Sequence, residues 1–183
     1  LNIENDINYE EDSIKGLINI NLASKKTLLK NKIDQKTLFF NSLDSKNSYK
    51  GKIDLKPFYL VANFNYENLN LKNFFTDDSI LIEIIKSEIL NNKNLNMNLK
   101  FSINEILNLN DLNNLLLNIN IVEGNVNFSN SSIKWKKDLK IIFKDSQLIY
   151  DKEQIYLTGK MFLEFKNIDN FYRSFQIPKS QRK

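Results

Sequence analysis

Apolar residues recur at every second position along most of this chain. The clearest stretch is Leu95, Met97, Leu99, Phe101 and Ile103, which alternate without error with Asn96, Asn98, Lys100, Ser102 and Asn104. A strict period of two puts successive side chains on opposite faces of a strand, here one dry and one wet. At ~3.3 Å per residue the apolar stripe is roughly 26 Å long. Ile155–Phe165 repeats the pattern, with Leu157, Gly159, Met161, Leu163 and Phe165 on one face. A glycine inside such a strand predicts a bulge or a close backbone approach.

The same reasoning marks the other strands. Ile14, Gly16, Ile18, Ile20 and Leu22 share a side, and Leu17 is the one apolar residue opposite them. Thr37–Leu43 reads as a short buried strand, because Leu38, Phe39 and Phe40 are consecutive. Tyr49, Gly51, Ile53 and Leu55 alternate with charged residues, and Phe58, Leu60, Ala62, Phe64 and Tyr66 follow after Pro57. Proline cannot donate a ladder hydrogen bond, so Pro57 belongs at an edge or a corner. Leu115–Ile121 is followed by the turn signal Glu123-Gly124-Asn125 and by Val126–Ser129. Ile133–Trp135, Leu139–Phe143 and Gln147–Tyr150 continue the series, and Asp151–Gln154 turns the chain. The polar, acidic residues 1–13 read as an incomplete strand or a loop, and Lys25–Lys36 as a charged turn region.

Two segments break the alternation. Leu71–Leu90 is a helix candidate: Thr76, Asp77, Asp78 and Ser79 offer N-caps, and Leu81, Ile84, Ile85 and Ile89 share a face. Ile80, Ile82 and Ile84 also alternate like a strand, but Asn91-Asn92 supplies a helix stop. Ile168–Phe175 predicts a short amphipathic helix carrying Phe171, Tyr172 and Phe175, ahead of a basic tail with Lys179, Arg182 and Lys183. The expected fold is therefore mainly β. It is an antiparallel meander of about nine or ten strands, curled into a groove or an open sandwich, with one central helix and a short C-terminal helix. Residues 1–183 form a single β-rich segment.

Composition changes this picture little. Hydrophobic residues make up 42% of the chain and aromatics 11%, enough for a core. Asn, Lys, Ile and Leu dominate, the bias that AT-rich coding produces, so the net charge of +4 carries little meaning. The lysines are scattered among acidic residues along the sequence, which argues against a nucleic-acid partner. No apolar run reaches the ~18 residues of a membrane span, since Ile80–Leu90 is interrupted by Glu83, Lys86 and Glu88. No signal peptide is visible, and Leu1 in place of Met points to a processed product or an excised segment, so any anchor is expected outside these residues.

Chemistry is sparse. The chain has neither His nor Cys, which removes disulfides, thiol redox chemistry, Cys-ligated zinc and the commonest general base. There is no phosphate-binding glycine loop and no metal-ligand spacing. The acidic groups Glu10-Glu11-Asp12 and Asp77-Asp78 are explained by solvation or helix capping. Asn130-Ser131-Ser132 fits a glycosylation acceptor pattern, a match expected by accident in an Asn-rich chain. No enzyme activity, catalytic residue, metal site or cofactor is expected.

What remains is an excess of one-faced strand over available helix. Five side chains such as those of Leu95–Ile103 contribute on the order of 8–15 kcal/mol when buried, so the face needs a partner. That partner is a second layer of the same protein, a lipid chain or another protein.

Three stretches resemble the AsmA-like family of bacterial envelope proteins. They are Leu90-Asn91-Asn92-Lys93-Asn94-Leu95-Asn96-Met97-Asn98-Leu99, then Ile121-Val122-Glu123-Gly124-Asn125-Val126-Asn127-Phe128 with Ser132-Ile133-Lys134-Trp135, and Leu157-Thr158-Gly159-Lys160-Met161-Phe162-Leu163. The resemblance covers roughly residues 49–165. Where the family often places a glycine after the helix this chain has Asn91-Asn92, and asparagine tolerates the left-handed conformation needed there.

The resemblance implies a C-terminal section of a longer periplasmic protein, anchored in the inner membrane, whose β-structure forms an apolar groove. Such a groove serves phospholipid transport between membranes and outer-membrane maintenance, with phospholipid acyl chains as partners. The candidate lipid-binding lining is Leu95, Met97, Leu99, Phe101, Ile103, Leu157, Met161, Leu163 and Phe165, with an ordinary dry core as the alternative for each. The alternative function is a cell-envelope scaffold that binds another envelope protein through its apolar face or sheet edges.

Overall fold

The computed structural model describes residues 2–10, 13–22, 25–44, 46–71, 92–151 and 154–182. They form a mainly β fold: one sheet of twelve strands, mostly antiparallel. The strands are β1 Asn2–Glu10, β2 Ser13–Leu22, β3 Lys25–Asp34, β4 Thr37–Ser42, β5 Asn47–Leu55 and β6 Phe58–Leu69, then β7 Asn96–Ile106, β8 Leu112–Val122, β9 Asn125–Asn127, β10 Ser131–Trp135, β11 Leu139–Asp151 and β12 Gln154–Phe165. They lie side by side in chain order, with β9 and β10 end to end between β8 and β11. The sheet does not close, so β1 and β12 are its edges. The chain exposes 13,080 Å², against roughly 9,200 Å² expected for a compact monomer of this mass.

The strands differ from the expected nine or ten in three places, two that add a strand and one that merges two. β3 occupies the supposed charged turn: Leu29 and Asn31 are buried and Ile33 half-buried on one face, while Lys30 and Lys32 extend from the other. β1 is a full strand paired along its length with β2. Leu139–Phe143 and Gln147–Tyr150 are one strand, interrupted only by a bulge between Lys144 and Gln147.

One neighbouring pair departs from the meander. β6 and β7 run parallel, from Tyr59 opposite Asn96 to Leu69 opposite Ile106. A parallel pair needs a connection of a dozen or more residues, and residues 70–95 supply it. The helix expected over 71–90, apart from Leu71, lies outside the described residues, as do Asn91 and most of both acidic groups.

Local chemistry fixes the turns. Pro57 follows a cis peptide bond at the β5–β6 corner. Glu123 and Gly124 both have positive φ, 51° and 82°, as the tight hairpin joining β8 and β9 requires. The short helix α1, Ile168–Ser174, starts where the Asn167 side chain accepts the N–H groups of Asp169 and Asn170. It folds back on the sheet: Phe171 lies 5.0 Å from Phe165 and 6.1 Å from Trp135, and Phe175 lies 5.3 Å from Trp135.

Candidate functional site

Register turns the alternation of single strands into a continuous surface. Tyr9 pairs with Ile14, Ile14 with Ile33, Ile33 with Leu38, Leu38 with Ile53 and Ile53 with Leu60. Leu60 sits beside Met97, then come Ile121, Val126, Leu148 and Leu157. Every member of this row is apolar or aromatic, and it crosses the whole sheet from edge to edge. At ~4.8 Å per strand the row is about 48 Å long.

The candidate lining residues fall on this one face but in different surroundings. Met97 and Leu157 belong to the row itself. Leu95 lies just before β7, half-buried, its N–H bonded to the Asn92 carbonyl at 2.9 Å. Leu99 is half-buried beside Ala62. Phe101 stacks on Phe64 with ring centroids 4.7 Å apart and planes 11° from parallel. Ile103 is 2% exposed and clusters with Leu69 and Ile106. On β12 the situation reverses: Leu157 and Met161 are each 61% exposed, Leu163 is 44% and Phe165 is 36%. The face is thus tightly covered at Ile103 and open at the β12 edge, where Phe165 packs edge-on against Phe171 of α1.

A knot of close backbone packing holds β12 in place. At the β11 bulge, Ser146 is almost fully buried, its N–H bonded to Ser129 Oγ and its carbonyl to the Phe128 N–H at 2.8 Å. Gly159 lies against it with φ of +155°, and a Cβ there would come within 2.7 Å of Ser146 Cα. This is the close backbone approach expected of that glycine.

The opposite face carries a feature that alternation alone does not reveal. Across β1–β6 it hollows into a trough of about 1000 Å³. Two register rows line it: Asp6, Leu17, Lys30, Asn41, Lys50 and Asn63, and beside them Asn8, Lys15, Lys32, Phe39, Lys52 and Val61. The lining thus holds five lysines and one acidic residue, Asp6, with Asp34 and Asp54 at its margin. Lys52 bonds Asp54 at 3.0 Å and Lys32 approaches Asp34 at 3.9 Å, whereas Lys30 and Lys50 have no carboxylate partner among the described residues. Bonds from Lys52 and Thr37 hold the Asp54 carboxyl below the usual carboxylate range. The signal was present as two Lys-x-Lys pairs, 30/32 and 50/52, whose spacing puts both members on one face of a strand.

Among the described residues no cluster of acidic side chains could hold a metal ion, and no helix is long and apolar enough to cross a membrane. No family model, curated protein or solved structure matches the chain.

Proposed function

We propose that this chain is a non-catalytic section of an AsmA-like envelope protein that presents an apolar sheet face to phospholipid acyl chains. The observation that carries the reading is the unbroken apolar row from Tyr9 to Leu157, which emerges at an open edge beside Met161 and Leu163. Acyl chains laid along such a face leave water without any chemical step, each methylene contributing roughly 0.8 kcal/mol. The reading places the chain in the periplasm, held at the inner membrane by a segment outside these residues, in phospholipid transport and outer-membrane maintenance.

One observation favours a scaffold as the second reading. β12 is an unpaired edge that exposes apolar side chains on both faces, Leu157 and Met161 on one and Tyr156 and Phe162 on the other. Such an edge is a template for a strand of another protein.

A photoreactive residue at position 161, in protein purified with its bound lipid, separates the two. The lipid reading expects a phospholipid adduct from this probe that disappears in a Leu157→Asp background, Leu157 being 61% exposed on the same face, while the thermal melt stays unchanged. Its counterpart, Ile103→Asp, should unfold the protein, because an unpaired carboxylate buried there costs several kcal/mol. A protein adduct at 161 with no lipid adduct would leave the scaffold reading standing.

A further inference from the structure

We infer that the basic trough on the polar face is a binding site for the phosphate group of an anionic amphiphile. The inference does not depend on the apolar-face reading, because the two surfaces lie on opposite sides of the sheet. Three features carry it.

The first is charge. Lys15, Lys30, Lys32, Lys50 and Lys52 line the trough with Asp6, and of the two pairs on β3 and β5 only Lys32 and Lys52 are matched by a carboxylate among the described residues, Asp34 and Asp54. Lys30 and Lys32 on β3 and Lys50 and Lys52 on β5 form a grid about 7 Å along the strands and about 10 Å across them. Their long stems let ammonium groups converge over the β4 residues between them, Phe39 and Asn41. Lys30 and Lys50 enter this grid without a carboxylate of their own, so an incoming anion displaces no existing pair there.

The second is the trough's apolar content. Phe39 is 43% exposed at its centre and Leu17 is 38% exposed beside Lys30, with Val61 half-buried at one side. An inorganic anion has no use for these groups. A ligand that carries a phosphate on an apolar body matches both kinds of surface, with donors for the phosphate oxygens and a ring and aliphatic carbons for the body.

The third is shape. A hollow of about 1000 Å³ takes in a single headgroup with the start of its chains, whereas a flat membrane would bridge across its rim. A single-stranded nucleic acid also pairs lysines with aromatic surface, but its stacking platforms use successive exposed aromatic side chains, and of the trough's two rings, Phe39 and Phe40, only Phe39 is exposed.

Dihexanoyl phosphatidic acid, kept below its micelle concentration, tests the site by calorimetry on the whole chain. It should bind one to one, at least about tenfold more tightly than inorganic phosphate, and dihexanoyl phosphatidylcholine should not bind measurably. Lys30→Glu/Lys50→Glu should weaken it by about tenfold or more, while Lys93→Glu/Lys137→Glu, with the same change of net charge, should stay within about twofold. Lys30→Gln/Lys50→Gln repeats the test without charge reversal, and the thermal melt of each variant confirms the fold. Equal loss in the two charge-matched pairs would reduce the effect to net charge and overturn the site. Phosphate binding as tightly as the lipid would overturn the amphiphile, and tighter, Lys30-dependent binding of a single-stranded oligonucleotide would replace it with a nucleic acid.

Discussion

Replacing Gly159 by alanine should be among the most damaging single changes in the sheet, although it adds one methyl group. At this point β12 passes the β11 bulge so closely that a Cβ would stand 2.7 Å from Ser146 Cα and 2.8 Å from its Cβ, and nearer still to its hydroxyl. Holding a non-glycine residue near φ of +155° costs roughly 1–3 kcal/mol. Forcing an extra carbon into a packed position costs a further 1–3 kcal/mol or so. Alanine recovers up to about 1 kcal/mol through the smaller entropy of its unfolded chain. The net loss is therefore about 1–5 kcal/mol, at its upper end a large share of the roughly 5–15 kcal/mol of a typical domain. Urea denaturation should show it as a lower midpoint with an unchanged slope. Ser146→Gly in the same background removes the serine side chain but leaves the new methyl pressed against the β11 backbone, so it should restore only part of the loss. A Gly159→Ala protein within about 0.5 kcal/mol of the parent would refute the close approach.

Three further outcomes follow from particular side chains. Asn31 is buried on the apolar face with its side-chain oxygen unpartnered, so Asn31→Leu should raise stability by about 1–2 kcal/mol in the same urea assay. Phe171→Ala should loosen α1 at a cost of about 1–2 kcal/mol and red-shift the emission of Trp135, the single tryptophan, by wetting its indole. Burial first, and then its neighbour Tyr49, push the Tyr66 hydroxyl well above the usual tyrosine range. The fold therefore favours the neutral phenol: its contribution is complete below about pH 10 and fades as pH rises beyond that. Absorbance at alkaline pH should show Tyr66 ionising last, together with unfolding, and Tyr66→Phe should flatten that loss of stability.

The sequence disclosed the strands wherever apolar identity followed the pleat without interruption. β7 and β12 emerged from alternation alone, and the glycine in β12 announced its tight neighbour. Where polar residues occupy the dry face the pattern disappears. Asn31 takes an apolar position in β3, and the surrounding lysines made that strand resemble a turn. The bulge at Ser146 shifts the phase of β11, so one strand read as two. Pairing partners are a further step from sequence, because alternation says which residues share a face but not which strand lies beside which. The parallel pairing of β6 with β7 was hidden for that reason. So was the trough, whose lysines stand far apart along the chain and meet only when β2, β3 and β5 come into register.

The parallel pairing of β6 and β7 also divides the molecule kinetically. From β1 to β6, and again from β7 to β12, each strand finds its partner across a short connection, so both halves can grow by local hairpin steps. Joining them requires the chain to close across residues 70–95, which for a flexible connection of that length costs about 2 kcal/mol more than a two-residue turn by the logarithmic scaling of closure entropy. The two halves should therefore assemble early and dock late, and pulse-labelled hydrogen exchange should find the β4–β5 and β11–β12 amides protected before those joining β6 to β7. Until that docking step each half carries two raw edges instead of one finished sheet. The central seam, and not either terminus, is then where a crowded or overheated preparation would begin to exchange strands between molecules.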